Sequence, residues 1–533
     1  MISNIVLGVS LVILLCVISE KFSYKIGVPA LIFFMFVGMI FGSDGYGIEY
    51  SNFNSAEVIC SIGLIFIMFD GGFNTNWNSA KKTIKKSVTL STLGVLLTAA
   101  IATACIHYLL KLSLAESFLI AAVLASTDAA SVFSILKSNN LDLKDGTSSI
   151  LEVESGSNDP MSYLLTVTAI SIMVSGKFDI PNILLTILIQ IVVGFVMAYV
   201  FARASRYILQ ERNVLNDGLE IIFVIGVVMM CYALSDKLGG NAYLSVYLLG
   251  LYLGNTRITA KRSIAAFSSE MTSLIQIVIF FTIGLLSFPK TMPASIALSL
   301  AIVFILTFIA RPLMTIILLI PQKCSLRQCL LISWAGLKGA SSIVFAIIAV
   351  SSGIKLSFDL YHVVFLVSLF SISIQGTLLP TISKALNMID ENPNIYKTFN
   401  DFDDNINFQF AKIHINENNA WVGKRIKDID IPFGLQVIMI KHDGKSKAAR
   451  GKSIVEVGDD LIVNVPPYYP AGKENVKQVN INKNHPYINK TVQDLQIPDN
   501  QLIIMIIRGE ERIIPNGDTV ILQGDEMLIY KGE

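Results

Sequence analysis

The sequence predicts an α-helical polytopic membrane protein that ends in a small cytoplasmic α+β tail. Three observations carry this. Of 533 residues, 53% are hydrophobic and 15% charged, whereas a soluble chain carries about 25% charge. About thirteen apolar runs lie between Ile2 and Leu386, most near the ~20 residues that a span requires. At Asn387 the composition turns abruptly polar.

The runs lie near 3–20, 28–43, 57–73, 87–110, 114–136, 149–175, 181–207, 217–235, 240–255, 268–287, 292–320, 328–352 and 360–383. The first lacks a basic leader and a small-residue cleavage site, so it reads as a retained helix. Glycines interrupt the runs at 240–255 and 328–352. With the amino end outside, the inner loops hold Lys21, Lys25, Lys81, Lys82, Lys85, Lys86, Lys137, Lys144, Arg203, Arg206, Arg212, Arg257, Lys261, Arg262, Lys323 and Arg327. The outer loops hold only Lys111, Lys177, Lys237, Lys290 and Lys355. That asymmetry is the positive-inside pattern, and an odd number of spans places the tail in the cytoplasm.

The chain reads as four regions: a transmembrane domain over 1–386, an acidic linker over 387–410, and two units over 411–468 and 478–533. The two units repeat. WVGKRIKDIDIPFGLQVIMI (421–440) aligns without a gap on YINKTVQDLQIPDNQLIIMI (487–506), and Gly451, Gly458 and Asp459 meet Gly517, Gly524 and Asp525. Each copy is expected to form a short helix followed by β-rich runs with glycine turns between them.

Two polar bursts interrupt the apolar region. ESGSNDP (154–160) places Glu154, Ser155, Asn158 and Asp159 within one run. On a helix, Glu154 with Asn158 and Ser155 with Asp159 are i, i+4 pairs on one broad face. Pro160 has no amide hydrogen, which frees the carbonyl of Gly156. One span earlier, Ser126, Thr127 and Asp128 sit mid-run. An ionisable group inside a span costs at least about 2.5–3.5 kcal/mol, so each burst marks function before packing. Carboxylate, hydroxyl, amide and freed carbonyl together suit a hard monovalent cation. A third interruption, SWAGLKGASS (333–342), carries Lys338, which is expected to serve as counter-charge to Glu154 or Asp159. If spans 1–6 and 8–13 form inverted repeats, the fifth and twelfth are equivalent, and broken helices at such places bind ions at mid-membrane.

Other classes are disfavoured. The net charge of +1 argues against a nucleic-acid partner. The six cysteines have no zinc-site or CxxC spacing, and His107 and His362 stand outside any HExxH, so nothing reads as an enzyme site. A tail-gated potassium channel would want a TVGYG-like filter, and none occurs.

ASTDAA, ESGSNDP, FDGG (69–72), ARP (310–312), WAGLKGA (334–340) and IQGT (374–377) together resemble the monovalent cation:proton antiporters of the NhaP branch. The resemblance implies thirteen helices, the fifth and twelfth unwound and crossing, and a homodimer. It implies that Asp159 alternately carries cation and proton, with Glu154, Ser155, Asp128 and the backbone at Thr127 completing the cation site directly or through water. Asn158, Lys338 and Arg311 would support it. Electrogenic relatives have a second aspartate at Asn158, so one carboxylate points to electroneutral exchange. Many relatives carry arginine at Lys338; a lysine can lose its proton when buried, and its titration would weaken that stoichiometry argument. Both tail copies resemble the TrkA-C module, whose association with potassium transport favours K⁺, with Na⁺ the alternative. No Rossmann half lies between Asn387 and Phe410, so no NAD or other cofactor is expected; a small regulator such as a cyclic dinucleotide could bind the tail.

Overall fold

The computed structural model describes residues 2–26, 29–75, 83–139, 141–176, 180–211, 219–256, 258, 261–390, 409–417, 419–429, 436–442, 445–465, 475–482, 485–495, 497–498, 501–508, 511–513 and 515–531. The chain divides into two compact units, 1–393 and 394–533. Of the features read from the sequence, Lys81, Lys82, Lys177, Arg212, Arg257 and linker residues 391–408 lie outside the described residues.

The first unit is helical. Its helices are α1 (Ile2–Ile26), α2 (Ala30–Phe41), α3 (Phe53–Asn74), α4 (Ile84–Leu110), α5 (Leu114–Val123), α6 (Ala129–Ser138), α7 (Thr147–Ser175) and α8 (Ile180–Arg206). Next come α9 (Leu219–Lys237), α10 (Ala242–Gly254), α11 (Lys261–Leu285), α12 (Pro293–Gln322), α13 (Leu326–Trp334), α14 (Ala340–Ser351) and α15 (Leu360–Ala385). Every one of the thirteen apolar runs contains helix. Among the described residues seven helices are long and apolar enough to cross a membrane, and shorter apolar helices stand between them.

Two runs are broken where the sequence placed polar residues. The fifth run stops at Val123 and resumes at Ala129; the twelfth stops at Trp334 and resumes at Ala340. The flanking half-helices are capped alike. Ser113 caps α5, and Glu116 closes the capping box. Ser325 caps α13 and accepts from the Gln328 amide. Each third residue also reaches past the other broken helix. Glu116 Oε1 accepts from Ser357 N at 2.7 Å, and Gln328 Nε2 donates to Asp145 O and Thr147 Oγ1, each at 3.1 Å. The reciprocal pattern is the signature of two equivalent halves.

Elsewhere the helices approach through glycine, as expected where lipid tails supply no hydrophobic drive between helices. A Cβ on Gly250 of α10 would fall 2.4 Å from Phe69 O of α3, and one on Gly72 of α3 would fall 2.2 Å from Tyr247 O. The α2–α11 pair repeats the device at Gly38 and Gly284, where a Cβ would fall 2.3 Å from Phe281 O and 2.2 Å from Met35 O.

The second unit contains two four-stranded antiparallel sheets. Strands β1 (Gln409–His414), β2 (Gln436–His442), β3 (Lys445–Ala448) and β4 (Asp460–Val465) lie in the order β1-β4-β2-β3. Strands β5 (Asn475–Asn480), β6 (Gln501–Arg508), β7 (Glu511–Ile513) and β8 (Glu526–Lys531) lie in the order β5-β8-β6-β7. The bulges, at Val437/Met439 and Ile503/Met505, correspond. So do the buried cores: Ile415, Ile429, Val437, Ile440, Val455, Leu461 and Val463 in one, Ile481, Leu495, Ile503, Ile506, Ile521, Met527 and Ile529 in the other. The α+β expectation needs correction, because the expected short helix in each copy is a single 3₁₀ turn, Ile426–Asp428 and Val492–Asp494. In the first copy the stretch between Gly423, at φ +77°, and Pro432 is below the ~12 residues a lone helix needs.

Replacing Gly250 by leucine should lower the melting temperature of the detergent-solubilised protein, by the equivalent of at least ~1–3 kcal/mol. Gly226→Leu, where a Cβ meets nothing within 4 Å, should leave it unchanged. Equal melting of the two variants would refute glycine-mediated contact.

Candidate ion-binding site

The two helix breaks meet. Asp128 N donates to Leu337 O at 2.8 Å, joining one break to the other through the backbone. Gly339 makes the approach possible, since a Cβ there would lie 2.5 Å from Asp128 Oδ2. Below Asp128 the second half-helix starts: Ser131 Oγ donates to Asp128 Oδ2 at 2.6 Å and Ser131 N lies 3.4 Å from Oδ1. Asp128 thus closes the exposed amide end of α6, where negative charge is favourable.

Helix α7 crosses beside both breaks and continues through Pro160. Asp159, only 5% exposed, is gripped by one hydroxyl from each side. Ser126 Oγ donates to its Oδ1 and Ser341 Oγ to its Oδ2, both at 2.6 Å. One turn back, Ser155 Oγ donates to Thr127 O at 2.8 Å, and Asn158 Nδ2 donates to Thr127 Oγ1 at 2.5 Å. Asn241, the cap of α10, donates to Pro160 O at 2.7 Å. The ESGSNDP face is therefore laced to the first break by side chains of modest length, which is why small hydroxyl residues flank each carboxylate.

Glu154 pairs with Arg311. A π turn, Ile305–Ala310, ends at Arg311, whose Nη1 donates to Glu154 Oε1 at 2.7 Å and whose Nη2 donates to Ile332 O at 3.2 Å. Both members of this pair are nearly solvent-free, at 3% and 1% exposure. Gly336 lies against the guanidinium, where a Cβ would be 2.5 Å from Nε. A second π turn, Ser371–Gly376, supplies Ser371, which accepts from Lys338 N at 3.2 Å and donates to Gln375 Oε1 at 2.5 Å. Single π turns often mark functional positions, because the extra residue re-aims the side chains of the next turn.

Lys338 Nζ donates to Ser126 O at 2.9 Å, at the carbonyl end of α5 and beside the Ser126 hydroxyl that holds Asp159, while Glu154 pairs directly with Arg311. Arginine suits that buried post because its planar fork can hold a carboxylate and a carbonyl at once. A cavity of about 210 Å³ ends at Asp159 and includes Asp70, Thr127, Asp128, Ser155 and Ser341 in its wall. Glu154 is not among the residues lining it.

The geometry thus brings together Asp159, Asp128, Ser155, Thr127 and Asn158, and sets Glu154 with Arg311 behind them. Sequence reasoning missed Ser341 as a partner of Asp159, although it stands in the first turn of the helix that resumes after the second break. It also missed Asp70, Asn74 and Glu152 on the cavity wall; FDGG (69–72), a carboxylate and two glycines in an apolar run, was the available signal for Asp70. The wall offers carboxylate, hydroxyl and amide oxygens, a donor set for a hard cation rather than a thiophilic metal.

The family described as sodium/hydrogen exchanger, transmembrane, matches residues 10–385, and the TrkA-C domain matches 476–530. Among curated relatives, a K(+)/H(+) antiporter NhaP of Alkalimonas amylolytica is 28% identical over 86% of this chain and 80% of its own. A K(+)/H(+) antiporter NhaP2 of Shewanella sp. (strain ANA-3) is 32% identical over 84% of this chain and 78% of its own. The solved structure of the sodium proton antiporter MjNhaP1 from Methanocaldococcus jannaschii superposes with a TM-score of 0.64 at 22% identity, covering 72% of this chain and 99% of that one; it establishes the fold alone. By the extent of the family match and of these relatives, the chain belongs to the sodium/hydrogen exchanger family.

Proposed function

We propose that the protein is a multi-pass secondary antiporter, not an enzyme, that exchanges K⁺ for H⁺ across the cytoplasmic membrane with Asp159 as the carrier. The observation that carries this reading is the position of Asp159: a buried carboxylate at the end of a cavity, held by one hydroxyl from each helix break. The relatives named as K(+)/H(+) antiporters favour K⁺.

The cycle is a competition for one carboxylate. A hydroxyl can donate to a carboxylate or turn its lone pairs toward a cation. When K⁺ enters, Ser126 and Ser341 therefore exchange donation for coordination, joined by the Thr127 carbonyl, Ser155 and, directly or through water, Asp128. Glu154 holds Arg311 in place behind the site. When a proton arrives, Asp159 is neutral and the cation leaves. Each loaded state carries the same charge, because Asn158 cannot titrate and its amide is engaged with Thr127. The exchange is electroneutral on this account.

In the orientation set by the loop cations, the cavity opens inward, since Asn74 ends α3 and Glu152 lies in the first turns of α7. Rocking of one helix bundle against the other exposes Asp159 to the opposite side. The reading includes thirteen crossings, an outer amino end, a cytoplasmic tail, a homodimer, and tail regulation by a small ligand such as a cyclic dinucleotide.

In everted vesicles, K⁺ should collapse a preformed pH gradient, and Asp159→Asn should reduce that response to the background of vesicles without the protein. A response to Na⁺ alone would keep the carrier and reverse the choice of ion; undiminished exchange by the variant would end the proposal.

The Glu154–Arg311 pair makes a separate prediction. Arg311→Met alone leaves a buried carboxylate unpaired and should cost about 3–5 kcal/mol, read as a lower melting temperature. Adding Glu154→Gln should restore most of it. If the double variant melts no higher than the single one, the pair is not what holds the two helices.

A further inference from the structure

The two tail copies offer an internal control for one side chain. In both, a buried aspartate sits at the corner where the second and last strands meet: Asp459 in the first copy and Asp525 in the second, 2% and 1% exposed. The frames around them coincide. Asp459 Oδ2 accepts from Glu456 N at 2.8 Å, as Asp525 Oδ2 accepts from Leu522 N at 2.8 Å. The aspartate carbonyls accept from Ile415 N and Ile481 N, both at 2.8 Å.

The basic partner differs. At the end of β6, Arg508 holds Asp525 with Nε and Nη2, each at 2.8 Å, and also donates to Val520 O at 2.7 Å. At the corresponding end of β2 stands His442, whose Nδ1 meets Asp459 Oδ1 at 2.7 Å. A guanidinium stays charged at any physiological pH, whereas an imidazole titrates near pH 6.5. Around His442, Lys445 lies directly opposite on β3. Asp460 opens β4 and is engaged by Lys412 and His414 of β1. Glu456 contributes its backbone amide from the preceding turn, and Asp443, next in sequence, lies outside the described residues.

We propose that His442 and Asp459 form a proton-sensing site in the first tail copy, for which the Arg508–Asp525 pair of the second copy is the fixed-charge counterpart. The sign follows from the partner. A carboxylate beside an imidazole favours its charged form, so the pair tightens the β2–β4 corner at low pH and slackens as pH rises through the imidazole titration. The second copy behaves otherwise. Arg508 holds the Asp525 carboxyl below its usual range, so that pair is complete above the ordinary carboxylate pKa and is lost only as pH falls through its lowered one. Between pH 6 and 8 only the first corner changes. With the tail in the cytoplasm, the site reads cytoplasmic pH, apart from the proton carried by Asp159.

Hydrogen–deuterium exchange on the full-length protein in detergent tests this without reference to transport, so it succeeds or fails independently of the antiporter reading. After correction for intrinsic exchange, peptides covering 454–464 should lose protection between pH 6 and 8 by about fivefold, the size of effect one half-exposed ion pair can have, while peptides covering 520–530 hold theirs. His442→Arg should abolish the change in the first copy, and Arg508→His should create one in the second. Equal pH responses of the two copies in the unsubstituted protein, or a response that survives His442→Arg, would overturn the proposal. Arg508→His guards against misfolding of the first variant, because it asks the same question of the other sheet.

Discussion

A backbone hydrogen bond between two interrupted helices, Asp128 N to Leu337 O, sets the geometry of the membrane unit. Each break leaves unpaired amides and carbonyls in a medium that supplies no water to satisfy them. The breaks can exist only by satisfying one another and by recruiting polar side chains. Ser131 and Asp128 serve the amide end of α6, Lys338 serves the carbonyl end of α5, and Ser155 and Asn158 tie Thr127 to α7. Three of the residues that make interruption tolerable, Thr127, Asp128 and Ser155, also line the cavity at Asp159.

The charges fall into two groups around α7. On the cavity wall lie Asp159 and Asp128, with hydroxyls as immediate partners; outside that lining Arg311 and Glu154 pair in a dry setting. A charge pair so deeply buried is weak evidence of net stabilisation, since desolvation offsets much of the attraction. Its value lies in orientation, because Arg311 also holds the carbonyl end of α13. Placing the guanidinium away from Asp159 leaves that carboxylate with hydroxyls as its hydrogen-bond partners. A guanidinium at hydrogen-bond distance would have held it permanently ionised.

The tail shows how a duplicated unit can diverge in chemistry while its fold stays the same. Seven core positions, the strand order and the bulge are shared by both copies. These are the positions where burial leaves no latitude. The partner of the corner aspartate is half-exposed at His442, where packing tolerates either base, and there the copies differ.

Much of this was legible in the sequence because the membrane makes polar residues conspicuous. Thirteen apolar runs, two interruptions, Asp128, Asp159 and the tail repeat could all be read from order and composition, since each departs from a background that the solvent dictates. Partnership could not be read. Glu154 gave no sign that it would take Arg311 rather than Lys338, nor Asp159 that Ser341 would hold it, because those partners lie on other helices far along the chain. Which side chains meet depends on where π turns re-aim α12 and α15 and on glycines that let Asp128 and Arg311 approach the second break. The sequence by itself determined where charge enters the membrane; only packing between distant helices decided which charges line the cavity and which face each other.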